Sequence, residues 1–453
     1  METLIIKEAR WDITSQCNLK CKHCYASLLK GPNLSFDKVK AIIDKLLLFG
    51  LSWITLTGGE PTLRDDLLSI VQYCKKNNIG VDLLTNGAAT GSQKFVELLD
   101  AGIDQIHFSL DGISNITHDE IRGVKGAFDR TLENINFCVR YRNEKKLTTK
   151  IGVDFTLQGE NKKDVPFLID FFDNLGIDVL IVNNVWLVGR AIDNKSEVEI
   201  TSNEVSSSFN LISQNYSMKK RSFELYLSTF PNESRFLNLK YSIRLPTFQG
   251  VCPAGSTIYI NPQEKALPCY SLVLFEETNP EVSKYLRYWD VLSEPIEKAM
   301  EYFKPFLDFA HNPSPKNPYC KSCPNSSYCR ICPLIQAFDA QSIKERCLPY
   351  LRKIDSLELP IVKESTPSFY DDVEWKLIGN NLFVTIKRKN FFQKKTFTLD
   401  AMTKDVINCI NDKKQIKDIC FALKDRYNMK IEDSFNFVKE VIEYFYKEEV
   451  LKI

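Results

Sequence analysis

Between about residues 8 and 190, short apolar runs alternate with stretches of helical spacing, and no other feature limits the fold of this chain so strongly. "WITLTGG" (53–59), "GVDLLTNG" (80–87) and "QIHFSLDG" (105–112) read as strands, each with glycine or polar residues at its C-terminal end. "KIGVDFTLQ" (150–158) and "DVLIVNNVWLVGR" (178–190) read as two more. "DDLLSIVQYCKKNN" (65–78) and the segments 126–142 and 163–175 have the spacing of helices. Strand then helix, repeated about six times, predicts parallel β/α architecture, open or barrel-like. In such folds chemistry gathers at the C-terminal ends of the strands, which is where the glycine and polar clusters fall.

The 453 residues leave room for two or three domains. A net charge of +1 gives no general attraction to nucleic acid or anionic membrane. The first residues lack a signal-peptide pattern and no stretch is long and apolar enough to span a bilayer, so a cytoplasmic location is expected. There, thiols stay unpaired, and clustered cysteines are more often metal ligands than disulfides. Ten of the fourteen cysteines lie near 17–24 and within 252–347. Cys74, Cys138, Cys409 and Cys420 stand singly in helix-like apolar patterns and read as small buried hydrophobes.

Cys17, Cys21 and Cys24 are spaced C-x₃-C-x₂-C in "SQCNLKCKHCYA". A closed zinc site needs a fourth ligand, which His23 could supply. A [4Fe–4S] cube normally takes one thiolate per iron, so three cysteines leave one iron open.

That spacing, followed by the aromatic Tyr25, resembles the signature of the radical S-adenosylmethionine (radical SAM) enzymes. The resemblance implies a partial (β/α)₆ TIM-like barrel with the loop after its first strand, here supplied by "EARWDITSQ". It further implies that SAM chelates the open iron and is cleaved to a 5′-deoxyadenosyl radical that abstracts hydrogen. Further motifs follow in the family's order. "TGGEPTL" (57–63) resembles the GGEP segment, placing Gly58, Gly59, Glu60 and Pro61 beside the SAM ammonium. Asn86 in "TNG", with Ser109 and Asp111 in "SLDG", would lie near the cofactor. Arg122 in "HDEIRGVKGAF" would meet the SAM carboxylate, and Gly189 in "VGRA" the adenine.

The second cysteine field comprises Cys252, Cys269, "CKSCPNSSYCRIC" (320–332) and Cys347. Its paired C-x₂-C units also fit zinc ribbons. After a radical SAM core the field resembles the SPASM extension with two auxiliary Fe–S clusters. That implies Cys320, Cys323, Cys329 and Cys347 on auxiliary cluster II, and Cys252, Cys269 and Cys332 on cluster I, one thiolate short. Two departures stand out: Glu264 replaces the family's glycine, and only two residues separate Cys329 from Cys332. The missing ligand is left open among substrate, a non-Cys residue and a smaller cluster.

From "VEWKLIGNNLFVTIKRKN" the pattern predicts three short strands, then helices at 401–411, 414–427 and 432–449, a small winged-helix-like module. With 16 Lys and Arg against 14 Asp and Glu from Asp371 onward, it lacks the basic footprint of a duplex binder. It resembles instead the PqqD-like RiPP recognition element, which binds a precursor's leader as an added strand. The groove is expected between the strand around Leu382–Ile386 and the last long helix.

The expected organisation is a radical SAM barrel (1–215), a SPASM region (216–350), a linker (351–370) and a PqqD-like domain (371–453). The expected activity is modification of a ribosomally made peptide, bacteriocin-type, by oxidative cross-linking such as a Cys thioether. A flavodoxin or ferredoxin would donate electrons, and no nucleic acid or membrane is involved. Two alternatives stand beside it: an anaerobic sulfatase-type formylglycine maturase, and a non-enzymatic Fe–S or zinc-binding regulator acting on DNA. Tyr270 after Cys269, where that maturase family carries Asp, weighs against the first.

Overall fold

The computed structural model describes residues 4–245, 252–312, 314–323, 332–355, 367–369, 373–378, 381–388, 391–447 and 450–452. Cys329 and most of the linker 351–370 lie outside the described residues. The chain forms two compact units: Met1–Ser228 with Cys252–Asn317 and Cys332–Ala340, and Thr229–Val251 with Pro318–Ile331 and Gln341–Ile453. The stretch 216–350, expected as one domain, is therefore divided between them.

The first unit is built on strands β1 (Glu8–Thr14), β2 (Trp53–Gly58), β3 (Gly80–Thr85), β4 (Gln105–Ser109), β5 (Lys150–Leu157) and β6 (Val179–Asn184). Between them run helices α1 (Phe36–Leu47), α2 (Leu67–Lys76), α3 (Ser92–Asp100), α4 (Asn115–Arg122), α5 (Ala127–Lys145) and α6 (Val165–Leu175). Neighbouring strands pair in parallel and in chain order, giving an α/β partial barrel. The sheet then runs on past six strands. β7 (Glu224–Leu227) joins β6 in parallel, while β8 (Thr257–Ile260) pairs in parallel with β1 on the opposite side. β9 (Lys265–Leu267) and β10 (Trp289–Asp290) add antiparallel edges, for a ten-stranded open sheet in the order β10-β9-β8-β1-β2-β3-β4-β5-β6-β7.

Period-two alternation sorts the barrel strands into two faces. Trp11, Ile54, Leu56, Val81, Leu83, Ile106, Phe108, Val153, Phe155, Leu180 and Val182 are fully buried and face the helices. Phe108 meets Phe95 of α3 and Phe155 meets Phe172 of α6. The other face is polar: Arg10 and Asp12 on β1, Thr55 on β2, Asp82 on β3, His107 and Ser109 on β4, Asp154 and Thr156 on β5. Most of these are only partly buried, so the barrel interior is a polar chamber that water reaches.

In the second unit, three antiparallel strands lie in the order Val373–Ile378, Asn381–Arg388, Phe391–Thr398. Helices Ala401–Asn411, Ile416–Tyr427 and Ile431–Lys447 follow, and Leu451–Lys452 pairs with Ser368–Phe369. The expected groove beside Leu382–Ile386 needs correction. That strand is central and both its edges are already paired, so among the described residues of this sheet the edges left for an added strand are Val373–Ile378 and Phe391–Thr398. Phe397 of the latter packs against Tyr444 and Phe445 of the last helix. Helix Pro231–Tyr241 belongs to this unit too: Arg235 Nε donates to Lys447 O at 2.6 Å, and Tyr446 Oη to Leu239 O at 3.3 Å.

Candidate functional site

The loop carrying Cys17, Cys21 and Cys24 leaves β1 and is laced to the ends of the neighbouring strands. Gly59 N donates to Thr14 O at 2.8 Å and Glu60 N to Gln16 O at 2.7 Å. A Cβ on Gly58 would stand 2.4 Å from Thr14 O, and one on Gly59 2.1 Å from Gln16 O, so the glycine pair is what lets the strand end approach. On the far side Lys20 N donates to Arg122 O at 3.1 Å and Lys22 N to Ile121 O at 2.9 Å. Arg190 N donates to Cys24 O at 3.2 Å. Gly189 (φ +54) permits that contact, since a Cβ there would lie 2.5 Å from Cys24 O.

Glu60 is wholly buried and acts inside its own turn. Its Oε1 accepts from Thr62 N at 3.0 Å, Thr62 Oγ1 at 2.6 Å and Thr85 Oγ1 at 2.7 Å, and its Oε2 from Asn86 N at 2.7 Å. Glu60 thereby fixes Asn86, whose amide donates to Asn18 Oδ1 at 2.9 Å and reaches Cys17 Sγ at 3.9 Å. Pro61 opens the turn Pro61–Leu63. Tyr25 Oη donates to Asp12 Oδ1 at 3.0 Å, and its ring lies edge-on to Tyr270 at 5.3 Å. Ser109 ends β4 facing the chamber.

Asp111 is wholly buried; Arg122 Nη2 lies 2.6 Å from its Oδ2, and Thr156 N donates to its Oδ1 at 2.7 Å. Burial alone would push this carboxyl up, but the positive Arg122, then His23 and the Thr156 amide, hold it below its usual range. Arg122 Nη1 also reaches Cys21 Sγ at 3.6 Å. Burial raises the Cys21 thiol and Arg122 opposes that, favouring the thiolate an iron would need. Burial pushes Cys17 up to about 11, so metal binding there must displace a proton.

The donor set, three thiols on one loop, fits an iron–sulfur cube with one iron left open. A tetrahedral zinc draws its sulfurs within about 4 Å of one another. Among the described residues the one metal-type trio whose ligand atoms converge within 4.8 Å is Glu120, Glu160 and Glu197, not Cys17, Cys21, Cys24 or His23. Around Asp111, His23 Nδ1, Arg122 Nε and Arg190 Nε are buried without a hydrogen-bond partner among the described residues, as befits a recess that a polar ligand completes. His23 and Arg190 were not foreseen from sequence as recess residues; Arg190, directly after Gly189 in "VGRA" and opening the short helix Arg190–Asp193, was the findable one.

Cys252, Cys269 and Cys332 pack against one apolar cluster that includes Tyr259, Leu272, Phe275, Phe306 and Leu334. Burial first, then the nearby Cys269 and Cys252, pushes the Cys332 thiol up to about 12. Cys320, Cys323 and Cys347 belong to the other compact unit. There Cys347 is buried at the end of a π-helical turn, Ile343–Cys347, and its Sγ accepts from Asn232 Nδ2 at 3.3 Å. His311 Nε2, unsuspected from sequence, lies 3.2 Å from Cys252 O. Glu264 adopts a left-handed conformation that favours glycine (φ +62), in the turn between β8 and β9.

Residues 11–172 match the model of the radical SAM superfamily. The chain is 34% identical over 183 residues to the Fe-coproporphyrin III synthase of Methanosarcina barkeri, covering 40% of this chain and 44% of that protein. It is 34% identical over 159 residues to the mycofactocin maturase MftC of Mycolicibacterium smegmatis, covering 34% of this chain and 39% of that protein. The chain thus spans less than half the length of either relative. In fold it is similar to Streptococcus suis SuiB bound to its precursor peptide SuiA, with a TM-score of 0.56, 17% identity, and coverage of 72% of this chain and 71% of that one.

Proposed function

We propose, from a chain that carries a radical SAM domain, that this protein modifies a ribosomally made precursor peptide by oxidative cross-linking. The domain implies a [4Fe–4S] cluster and SAM, which together supply a 5′-deoxyadenosyl radical for hydrogen abstraction. Cys17, Cys21 and Cys24 would hold that cluster. Arg122, steadied by Asp111, would take the SAM carboxylate, and the backbone around Gly58, Gly59 and Glu60 the ammonium. Tyr25 and Gly189 would flank the adenosine. The chamber below, lined by Asp12, Ser109 and Thr156, would receive the peptide side chain, whose entry would displace the water there.

The observation that carries the peptide reading is the second unit's edge strand Phe391–Thr398. Among the described residues it is unpaired on one side, and it is bordered by Phe397, Tyr444 and Phe445, a surface suited to strand addition. A leader docked there would raise the local concentration of its core peptide. Cys252, Cys269 and Cys332, and Cys320, Cys323, Cys329 and Cys347, are proposed to hold two auxiliary clusters that accept the electron released on bond formation. A flavodoxin or ferredoxin is the proposed electron donor, and the cytoplasm the proposed location. Among the described residues no helix is long and apolar enough to cross a membrane.

A second reading is favoured by the likeness to an Fe-coproporphyrin III synthase: a SAM-dependent tetrapyrrole enzyme. Co-expression with a short Cys-bearing peptide encoded nearby separates the two. A loss of two daltons per cross-link in the peptide is expected. An unmodified peptide together with formation of an iron porphyrin would overturn the peptide reading.

A further inference from the structure

We propose that Lys22 is a positioning residue, a three-way clamp that holds the cysteine loop in the spacing its iron cluster requires. The inference rests on the reading that Cys17, Cys21 and Cys24 bind that cluster, and it concerns what keeps them in place. Lys22 lies between Cys21 and Cys24. Its ammonium donates to Glu120 Oε1 at 2.7 Å, to Glu160 Oε1 at 2.6 Å and to Glu197 Oε2. The three acceptors come from separate elements: Glu120 from α4, Glu160 from the turn after β5, and Glu197 from the short helix Lys195–Val198 beyond β6.

An ammonium has three N–H donors and no acceptor, so three carboxylate oxygens match it one to one. A planar guanidinium would not present its donors that way. The usual expectation for a surface ion pair is a weak, solvated contact. Here the Lys22 side chain is only 17% exposed and Glu160 18%, while Glu120 and Glu197 reach in from the solvent side at 65% and 49% exposed. The backbone is held as well. Lys22 N caps a carbonyl at the end of α4, and Asn194 Nδ2 donates to Lys22 O at 3.2 Å. Gly123 (φ +70) allows this approach, because a Cβ there would stand 2.7 Å from Lys20 O.

The geometry divides the work around the loop. Gly59, Glu60 and Asn86 tie the Cys17 end to β2 and β3, whereas Lys22 ties the Cys21–Cys24 end to the elements that follow β4, β5 and β6. Without the ammonium, three carboxylates within 4.8 Å would repel one another, and that end of the loop would lose its side-chain anchor.

The test measures the rate at which a ferrous chelator strips iron from anaerobically reconstituted full-length protein. The relevant phase is the one absent from a Cys17→Ala/Cys21→Ala/Cys24→Ala variant. Lys22→Met should lose that iron about tenfold faster than wild type, the scale of losing charge-assisted bonds. Lys22→Met/Glu120→Gln/Glu160→Gln/Glu197→Gln removes the repulsion without restoring the clamp. It should recover the wild-type melting temperature and still lose iron about tenfold faster. Three results would overturn the proposal: a wild-type rate in Lys22→Met, a wild-type rate in the quadruple variant, or failure of both variants to fold. If the triple cysteine variant lacks no phase, the reading beneath the proposal fails instead, and the proposal with it.

Discussion

Asp111 and Arg122 show how one buried pair can serve two tasks. The carboxylate is held by Arg122 and the Thr156 amide, and the same guanidinium reaches Cys21 Sγ, so a single cation sits between the recess and the proposed cluster. Charge-assisted hydrogen bonds contribute about 1.5–3 kcal/mol. Arg122→Met is accordingly expected to weaken SAM binding by about 10- to 100-fold in iron-loaded protein, measured by equilibrium dialysis. A second residue, Asp82, tests the chamber. Burial first, with Asp154 adding, pushes its carboxyl up to about 6, against the opposing pull of His107 and Arg10. The folded state therefore keeps a proton that the unfolded state releases from about pH 4, so stability falls as pH rises from 4 to 6 and stays lower above. Asp82→Asn should stabilise by about 1–2 kcal/mol at pH 8 and by little at pH 4, in urea titrations at the two pH values. The cysteine trio and the glycine pair could be singled out because their spacing is local, and Arg122 through the family resemblance. The partners of Lys22 were not, because Glu120, Glu160 and Glu197 meet only after three strands have paired.

The elements divide the same way. Five barrel strands and three of the six helices between them followed from apolar periodicity, as did the three strands and three helices of the tail, while the first barrel strand came from the family resemblance. Pairing order did not. Nothing local in "TIYI" says that it will lie parallel to β1, so the growth of the sheet to ten strands was hidden. Nor did the tail's pattern show that Asn381–Arg388 is the middle strand, which is why the expected groove fell one strand away from an available edge. The corrected edge makes its own prediction. Tyr444 is 53% exposed beside Phe397, so removing its ring should cost little stability. Tyr444→Ala is expected to weaken binding of a fluorescent leader peptide at least about tenfold in an anisotropy titration, with a melting temperature near wild type.

At the scale of the whole molecule, a partial barrel presents a three-cysteine loop over a polar chamber, and a separate compact unit carries an open sheet edge. Chain order conceals that plan, since Thr229–Val251 and Pro318–Ile331 belong with the C-terminal unit. The divided second cysteine field follows the same partition, with Cys252, Cys269 and Cys332 in one unit and Cys320, Cys323 and Cys347 in the other. All of this depends on the first loop being an iron site that engages SAM. The direct measurement is the yield of 5′-deoxyadenosine when anaerobically reconstituted protein is reduced in the presence of SAM. Wild-type protein should form it, and Cys17→Ala, Cys21→Ala and Cys24→Ala should each abolish it. No nucleoside from iron-replete wild type, or undiminished yield from any of the three variants, would contradict the account.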